Sequence, residues 1–366
     1  MIKLIFFHPY SFGGGSDNSL FRLISKLDKK TYSIDFISLN KSILRNKING
    51  VNFIKLNNSR TILTIFAIRK ILRNNKNYKK IILISNQNFA NLVAIFSKYK
   101  LPHVKLITID RNHLDELRFY KNYIDFIKKR IIIVLMKFFY KEADLRIGIC
   151  KRLSKDLGDL VKSKIKTVYS PSFDKNIIQL AKKKNVKLVT VDKFMVCVSR
   201  FSKRKDHTTL LKAFSLIKNK KKFKLVLVGF GPEKKNINIL IKKYKLENDV
   251  LMIENLHNPF WLIKKSSLLI LTSIYEGFPN VIVEALTLNT PVISTNMNAG
   301  ASEILLNGRG GDLVKVGDFV SLSKKINNFI ISPNKLQKKM MIAKKKLHRF
   351  DIELHHKIYN KIFQHV

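Results

Sequence analysis

Short apolar runs alternate with longer amphipathic ones along almost the whole chain, and that alternation leaves few folds open. Runs at residues 2–7, 33–39, 51–56, 81–85, 105–109, 145–149 and 167–169 read as strands. Stretches at 19–27, 62–72, 89–97 and 120–142 read as helices; in the first, Leu20, Leu23, Ile24 and Leu27 share one face. Strand, helix and strand in turn imply a parallel sheet with helices on both faces. The segment from Ser170 to Asp174 reads as the exit from this domain, and residues 177–186 as a helix and linker. A second alternation begins at 194–198 and continues through strands at 224–228, 250–253, 268–271 and 291–294. Its helices fall at 208–217, with Asp206 as N-cap, at 234–243 and at 281–288; the tail beyond Pro333 is helical and basic.

The expected fold class is therefore α/β: two facing Rossmann-like, doubly wound domains with a cleft between them. The 366 residues suit two domains of ordinary size, placed at 1–182 and 183–346. In such folds ligands bind beyond the carboxyl ends of the strands.

Composition removes several classes. With 46% apolar residues the chain buries two cores and is not disordered. Cys150 and Cys197 make no disulfide framework; each sits in or beside an apolar run, which suits reduced core residues in the cytoplasm. No uninterrupted apolar run has the length of a membrane span. Residues 1–7 are too short for a secretory signal and stop at His8 and Pro9. The formal charge of +45 admits nucleic-acid binding, attachment to an anionic membrane face, or compositional drift in a chain rich in Lys, Asn and Ile. Lysines spread through the chain, without an arginine-rich arm or zinc-finger spacing, disfavour nucleic acid.

The densest chemical signal is the stretch from Glu276 to Glu284. An apolar strand precedes it, and a turn of Gly277, Phe278, Pro279 and Asn280 leads into a helix. Free N–H groups at a helix start favour a phosphate. Glu276 on the loop is then placed for hydroxyls beyond the phosphate, and Glu284 inside the helix for hydroxyls on a nucleoside side. Arg200 and Lys205 follow the strand at 194–198, where two fixed cations neutralise a diphosphate without a metal. Gly13, Gly14 and Gly15 lie between the first strand and the first helix, where glycine allows close approach of a ligand. The spacing is not the G-x-G-x-x-G of dinucleotide binders. His113 follows the strand at 105–109, with His8 as a weaker candidate. The histidines show no metal-ligand spacing, and no Asp-x-Asp motif is present.

The string from Ser273 through Glu276 and Asn280 to Glu284 and Ala285 resembles the donor-binding signature of glycosyltransferase family 4, retaining enzymes of the two-domain GT-B fold. The segment from Val198 to His207 resembles the family's arginine–lysine pair, with Ser199 where the family usually has glycine. Gly229 and Gly231 resemble its second glycine turn near the donor, and residues 255–259, with His257, its loop under the nucleotide base. The resemblance implies a nucleotide-sugar donor, a UDP-sugar foremost, a glycan or lipid-linked acceptor, and no cofactor or metal. It implies catalytic roles for Glu276, Arg200, Lys205 and His113. Donor contacts are implied at Gly14, Gly15, Gly229, Gly231, His257, Gly277, Phe278, Pro279, Asn280 and Glu284. It also implies a helix at about 347–366 that returns to the first domain. Basic and aromatic residues in the 119–140 helix suit an in-plane contact with the cytoplasmic membrane face, alongside an ordinary core-facing side. The competing readings are a sugar-nucleotide epimerase of the same fold, and a basic nucleic-acid-binding protein without catalysis.

Overall fold

The computed structural model describes residues 1–11, 14–40, 48–183, 193–217, 223–254, 256–298 and 300–366. The chain forms two compact units: Met1–Pro171 with Phe350–Val366, and Ser172–Arg349.

Unit 1 runs β1 (Ile2–Phe7), α1 (Gly15–Ser25), β2 (Tyr32–Ser38), β3 (Asn52–Lys55), α2 (Ile65–Asn74), β4 (Lys80–Asn86), α3 (Asn88–Lys98), β5 (Val104–Asp110), α4 (Tyr123–Phe139), β6 (Leu145–Gly148), α5 (Lys151–Val161) and β7 (Lys166–Thr167). Among the described residues its seven strands are all parallel, in the order β3-β2-β1-β4-β5-β6-β7. The order reverses between β1 and β4, which makes that gap the topological switch point. β1 and β4 are apolar through their middles, and β5 is so but for Thr108, because both faces are covered, as parallel sheets require. One face packs Ile5, Phe7, Leu83 and Leu106 against α2, α3 and α4 in a single core.

Unit 2 runs α6 (Asn176–Leu180), β8 (Phe194–Val198), α7 (His207–Ser215), β9 (Lys224–Val228), α8 (Lys234–Lys243), β10 (Val250–Ile253), α9 (Phe260–Lys265), β11 (Leu268–Leu271), α10 (Asn280–Thr287), β12 (Val292–Thr295), α11 (Gly300–Ile304), β13 (Asp312–Val314), α12 (Phe319–Ile331) and α13 (Pro333–Lys344). Its six strands among the described residues are also all parallel, ordered β10-β9-β8-β11-β12-β13, so its switch point lies between β8 and β11. The last helix, α14 (Ile352–His365), belongs to unit 1, where it packs on α1 and buries Tyr359 and Phe363.

The expected division after residue 182 falls instead between Pro171 and Ser172, because α6 packs on α9 and α10 of unit 2. Residues 184–186, expected at the end of that helix, lie outside the described residues. Several elements went unread in the sequence. β13 has three residues and α9 six, too few to show a period. The stripe of α5 was legible, since its buried Leu153, Leu157 and Val161 recur every fourth residue. Asp206 does cap α7: its carboxylate accepts the Thr209 N–H at 3.1 Å. Both cysteines are free and buried.

Candidate active site at the second switch point

The loops that leave β8 and β11 diverge at the switch point of unit 2, and both carry charge. The β8 loop is held against the turn after β9 by a backbone seam. Ser199 N–H donates to Val228 O at 2.9 Å, Phe201 N–H to Phe230 O at 2.8 Å, and Glu233 N–H to Phe201 O at 3.0 Å. A Cβ on Gly229 would collide with the Ser199 carbonyl oxygen, and one on Gly231, whose φ is +150°, with that of Phe201. These two glycines thus have a packing reason: they let the loop that carries Arg200 lie flush on its neighbour. Arg200 itself is exposed, with no hydrogen bond or ion pair among the described residues.

A 3₁₀ turn, Lys203–Lys205, follows and aims one lysine inward. Lys205 Nζ pairs with Glu276 Oε1, which also accepts the Ser273 hydroxyl at 2.9 Å. Burial alone would raise the Glu276 carboxyl; the charges of Lys205 and Arg204 and the hydrogen bonds from Lys205 and Ser273 outweigh it and hold the group below its ordinary value. Lys203 is exposed and Arg204 acts on Glu276 by its charge, so geometry singles out Lys205 among the three neighbouring cations. Two stitches fix the loops to each other. Ile274 N–H donates to Arg204 O at 2.7 Å, and the Thr272 hydroxyl lies 3.0 Å from the carbonyl oxygens of both Lys205 and Asp206.

The helix start behind Glu276 has Pro279 as its N-cap, which has no side-chain donor or acceptor to cap with. Asn280 opens α10, and Glu284 lies half-buried one turn further on. Phe278, expected as a donor contact, has a ring that is 8% exposed and packs where a side chain on Gly300 would stand. Gly277 is buried and its carbonyl accepts the Gly300 N–H at 3.2 Å, so the turn is pinned to the start of α11. His257 is exposed on the loop after β10; its neighbour Asn255 lies outside the described residues.

Unit 1 presents its glycine loop at its own switch point. Gly14 is the N-cap of α1 and its N–H donates to Asp17 Oδ2 at 3.1 Å. Gly15 begins the helix and is exposed, while Gly13 lies outside the described residues. His8 is fully buried, with Nε2 3.0 Å from Asp17 Oδ1, and ties β1 to α1. His113, expected to be presented to a ligand, is only 3% exposed. Its Nε2 lies 2.9 Å from Asp156 Oδ2 on α5, and its Nδ1 accepts the Asp115 N–H at 3.2 Å. Both ring nitrogens are engaged inside unit 1, so His113 holds the β5–α4 loop to α5. The sequence hid this because Asp156 is 43 residues away. Beside it, Asp110 is buried at the end of β5 and accepts the Tyr140 hydroxyl at 3.0 Å; burial raises its pKa to about 7. Among the described residues no three His, Cys, Asp or Glu side chains group as metal ligands.

Thr272 and His207 were missed as site residues. Their only sequence signal was adjacency to the motifs, Thr272 just before Ser273 and His207 two residues after Lys205.

Comparisons with known proteins agree with this architecture. A family model described as glycosyl transferases group 1 matches residues 179–347. An uncharacterized glycosyltransferase of Methanocaldococcus jannaschii is 30% identical over 303 residues, 77% of this chain and 73% of the relative. The N-acetylgalactosamine-N,N'-diacetylbacillosaminyl-diphospho-undecaprenol 4-alpha-N-acetylgalactosaminyltransferase of Campylobacter jejuni is 28% identical over 257 residues, 69% of this chain and 67% of that one. The structure of Anabaena HepE in complex with UDP and glucose superimposes with a TM-score of 0.80 over 100% of both chains at 19% identity. Sucrose-phosphate synthase from Thermosynechococcus elongatus gives 0.84 at 15% identity, over 100% of this chain and 98% of that one. The chain belongs to the group 1 glycosyl transferases and is a glycosyltransferase of the two-domain α/β GT-B fold.

Proposed function

We propose that this enzyme moves a sugar, with retention of configuration, from a UDP-sugar held by unit 2 to a glycan or lipid-linked acceptor presented by unit 1. The observation that carries the reading is the grouping of Lys205, Glu276 and Ser273 at the switch point, with Arg200 exposed on the loop that carries Lys205. Arg200, Lys205 and the start of α10 neutralise the charge that develops on the departing diphosphate. Glu276, kept ionised by its neighbours, accepts hydrogen bonds from donor-sugar hydroxyls, and Glu284 from the ribose. The acceptor hydroxyl attacks from the face the leaving group departs from, and its proton passes to the leaving phosphate oxygen. All of the charge neutralisation in this scheme comes from side chains and backbone. UDP is favoured because the Anabaena structure holds it, and a lipid-linked acceptor because the Campylobacter relative is named for one.

We infer in addition that the enzyme works at an anionic membrane face, where a lipid-linked acceptor would lie. Ile132, Ile133, Leu135 and Met136 of α4 pack inward on the unit 1 core. The opposite side leaves Tyr123, Ile124, Ile127, Ile131, Val134 and Phe138 exposed, interleaved with exposed Lys128, Arg130 and Lys137. Apolar and basic residues on one helix face suit insertion between acyl chains and anionic headgroups. Among the described residues no helix is long and apolar enough to cross a membrane.

Thermal stability with UDP, GDP, ADP and NAD at equal concentration tests the donor site. A rise in Tm with UDP, absent in Arg200→Ala and Glu284→Ala, is the expected result. No rise with any of the four nucleotides would overturn it.

A further inference from the structure

A flexible lysine stem must deliver its charge to one place at this site. The β8 loop answers with two closures that the donor chemistry does not itself require. At its far end, Thr272 is fully buried, and its hydroxyl sits 3.0 Å from the carbonyls of Lys205 and Asp206. Asp206 is left-handed, φ 45°, and its carboxylate caps α7, so the backbone on both sides of the Lys205 carbonyl is held. Across the loop, His207 is 4% exposed, and its Nε2 lies 3.1 Å from the Ser199 hydroxyl at the loop's beginning. The ring also stands edge-on to Phe201, with centroids 5.3 Å apart. Burial, with Lys205 nearby, lowers the imidazole to a pKa of about 4, so this clasp is between neutral groups at neutral pH.

We propose that Thr272 and His207 are positioning residues for the transfer: they close the loop from Ser199 to His207 so that the Lys205 ammonium stands where the donor's outer phosphate departs. This rests on the reading of Lys205 as a diphosphate contact. Both side chains are buried. Each acts through the backbone that carries Lys205, and Thr272 also acts through Ser273, its neighbour in the chain and the hydroxyl partner of Glu276.

The test compares UDP with UMP, which lacks the outer phosphate, by calorimetric Kd on the full chain, with Tm measured alongside. Thr272→Val removes the hydroxyl and keeps the shape; Thr272→Ser keeps the hydroxyl. The expected result is a UDP Kd about tenfold weaker in Thr272→Val, as for a hydrogen bond that orders a charged contact, with UMP unchanged and Thr272→Ser near the parent. His207→Leu follows Thr272→Val, and His207→Gln, which retains a hydrogen-bonding group, recovers part of the loss. Thr272→Val added to Lys205→Ala weakens UDP no further than Lys205→Ala alone, because both changes remove the same contact. If Lys205→Ala loses UDP affinity while Thr272→Val keeps it, the positioning role is overturned and the diphosphate reading stands. If Lys205→Ala itself binds UDP normally, both are overturned. Equal losses of UDP and UMP in Thr272→Val with a matching fall in Tm would make the residue purely structural and overturn the proposal.

Discussion

The Lys205 ammonium and the Glu276 carboxylate, 71 residues apart in the chain, form an ion pair across the switch point of the second sheet. The pair joins the two loops that diverge there. Each side chain is about one-tenth exposed, at 12% and 11%, so each needs the other: an unpaired charge in so dry a place is costly. The same two groups are the ones proposed to meet adjoining parts of the donor, the outer phosphate and the sugar bonded to it.

Glu276→Gln keeps the shape and the hydrogen bond from Ser273 but removes the charge. The expected outcome is a kcat lower by about 10²-fold or more with UDP affinity retained, measured by steady-state kinetics with a UDP-sugar. Full turnover would remove Glu276 from the mechanism.

The same carboxyl makes an acid-side prediction. Its folded pKa lies below the ordinary 4.5, so its contribution to stability is present above that pH and is lost as pH falls through the folded value. Tm measured from pH 6 downward therefore falls in the parent by an amount that Glu276→Gln lacks.

Asp110 predicts the opposite slope in unit 1. Burial moves it from 3.8 to about 7, so the folded state binds its proton more tightly than the unfolded chain. The stability it confers is complete below about pH 3.8 and is lost as pH rises to about 7. Asp110→Asn, neutral at every pH and still able to accept from Tyr140, is expected to be more stable than the parent at pH 8, by at most about 4 kcal/mol. Chemical denaturation at pH 5 and pH 8 reads the difference.

The two glycine loops are expected to behave differently. Gly229→Ala forces the Ser199 carbonyl away and is expected to destabilise the protein by about 1–3 kcal/mol while weakening UDP binding through the displaced Arg200 loop. A Cβ on Gly14 meets nothing within 4 Å, so Gly14→Ala is expected to keep its Tm. A fall in turnover without a fall in Tm would then mark Gly14 as lying against a ligand.

On α4, Ile124→Asp with Ile131→Asp places two charges on an already exposed face. Co-sedimentation with vesicles containing phosphatidylglycerol is expected to fall several-fold, with Tm unchanged. Equal binding by parent and variant would dismiss the membrane face.

The fold class and the Glu276–Glu284 motif are legible in the linear chain, because both are written in local order. Buried parallel strands appear as apolar runs, and β8, β9, β10 and β11 lie where those runs do. Glu276, Gly277, Pro279 and Asn280 sit on one turn, so their spacing survives in the linear text. The rest waits on contacts distant in the chain. Which of Lys203, Arg204 and Lys205 faces Glu276 depends on a loop closed by Thr272, 67 residues from Lys205. The burial of His113 depends on Asp156, and the need for glycine at 229 depends on the Ser199 carbonyl. The physical reason is common to all three. A side chain's charge, exposure and room are set by neighbours that the chain brings together only when the sheet has formed, and no local spacing records them.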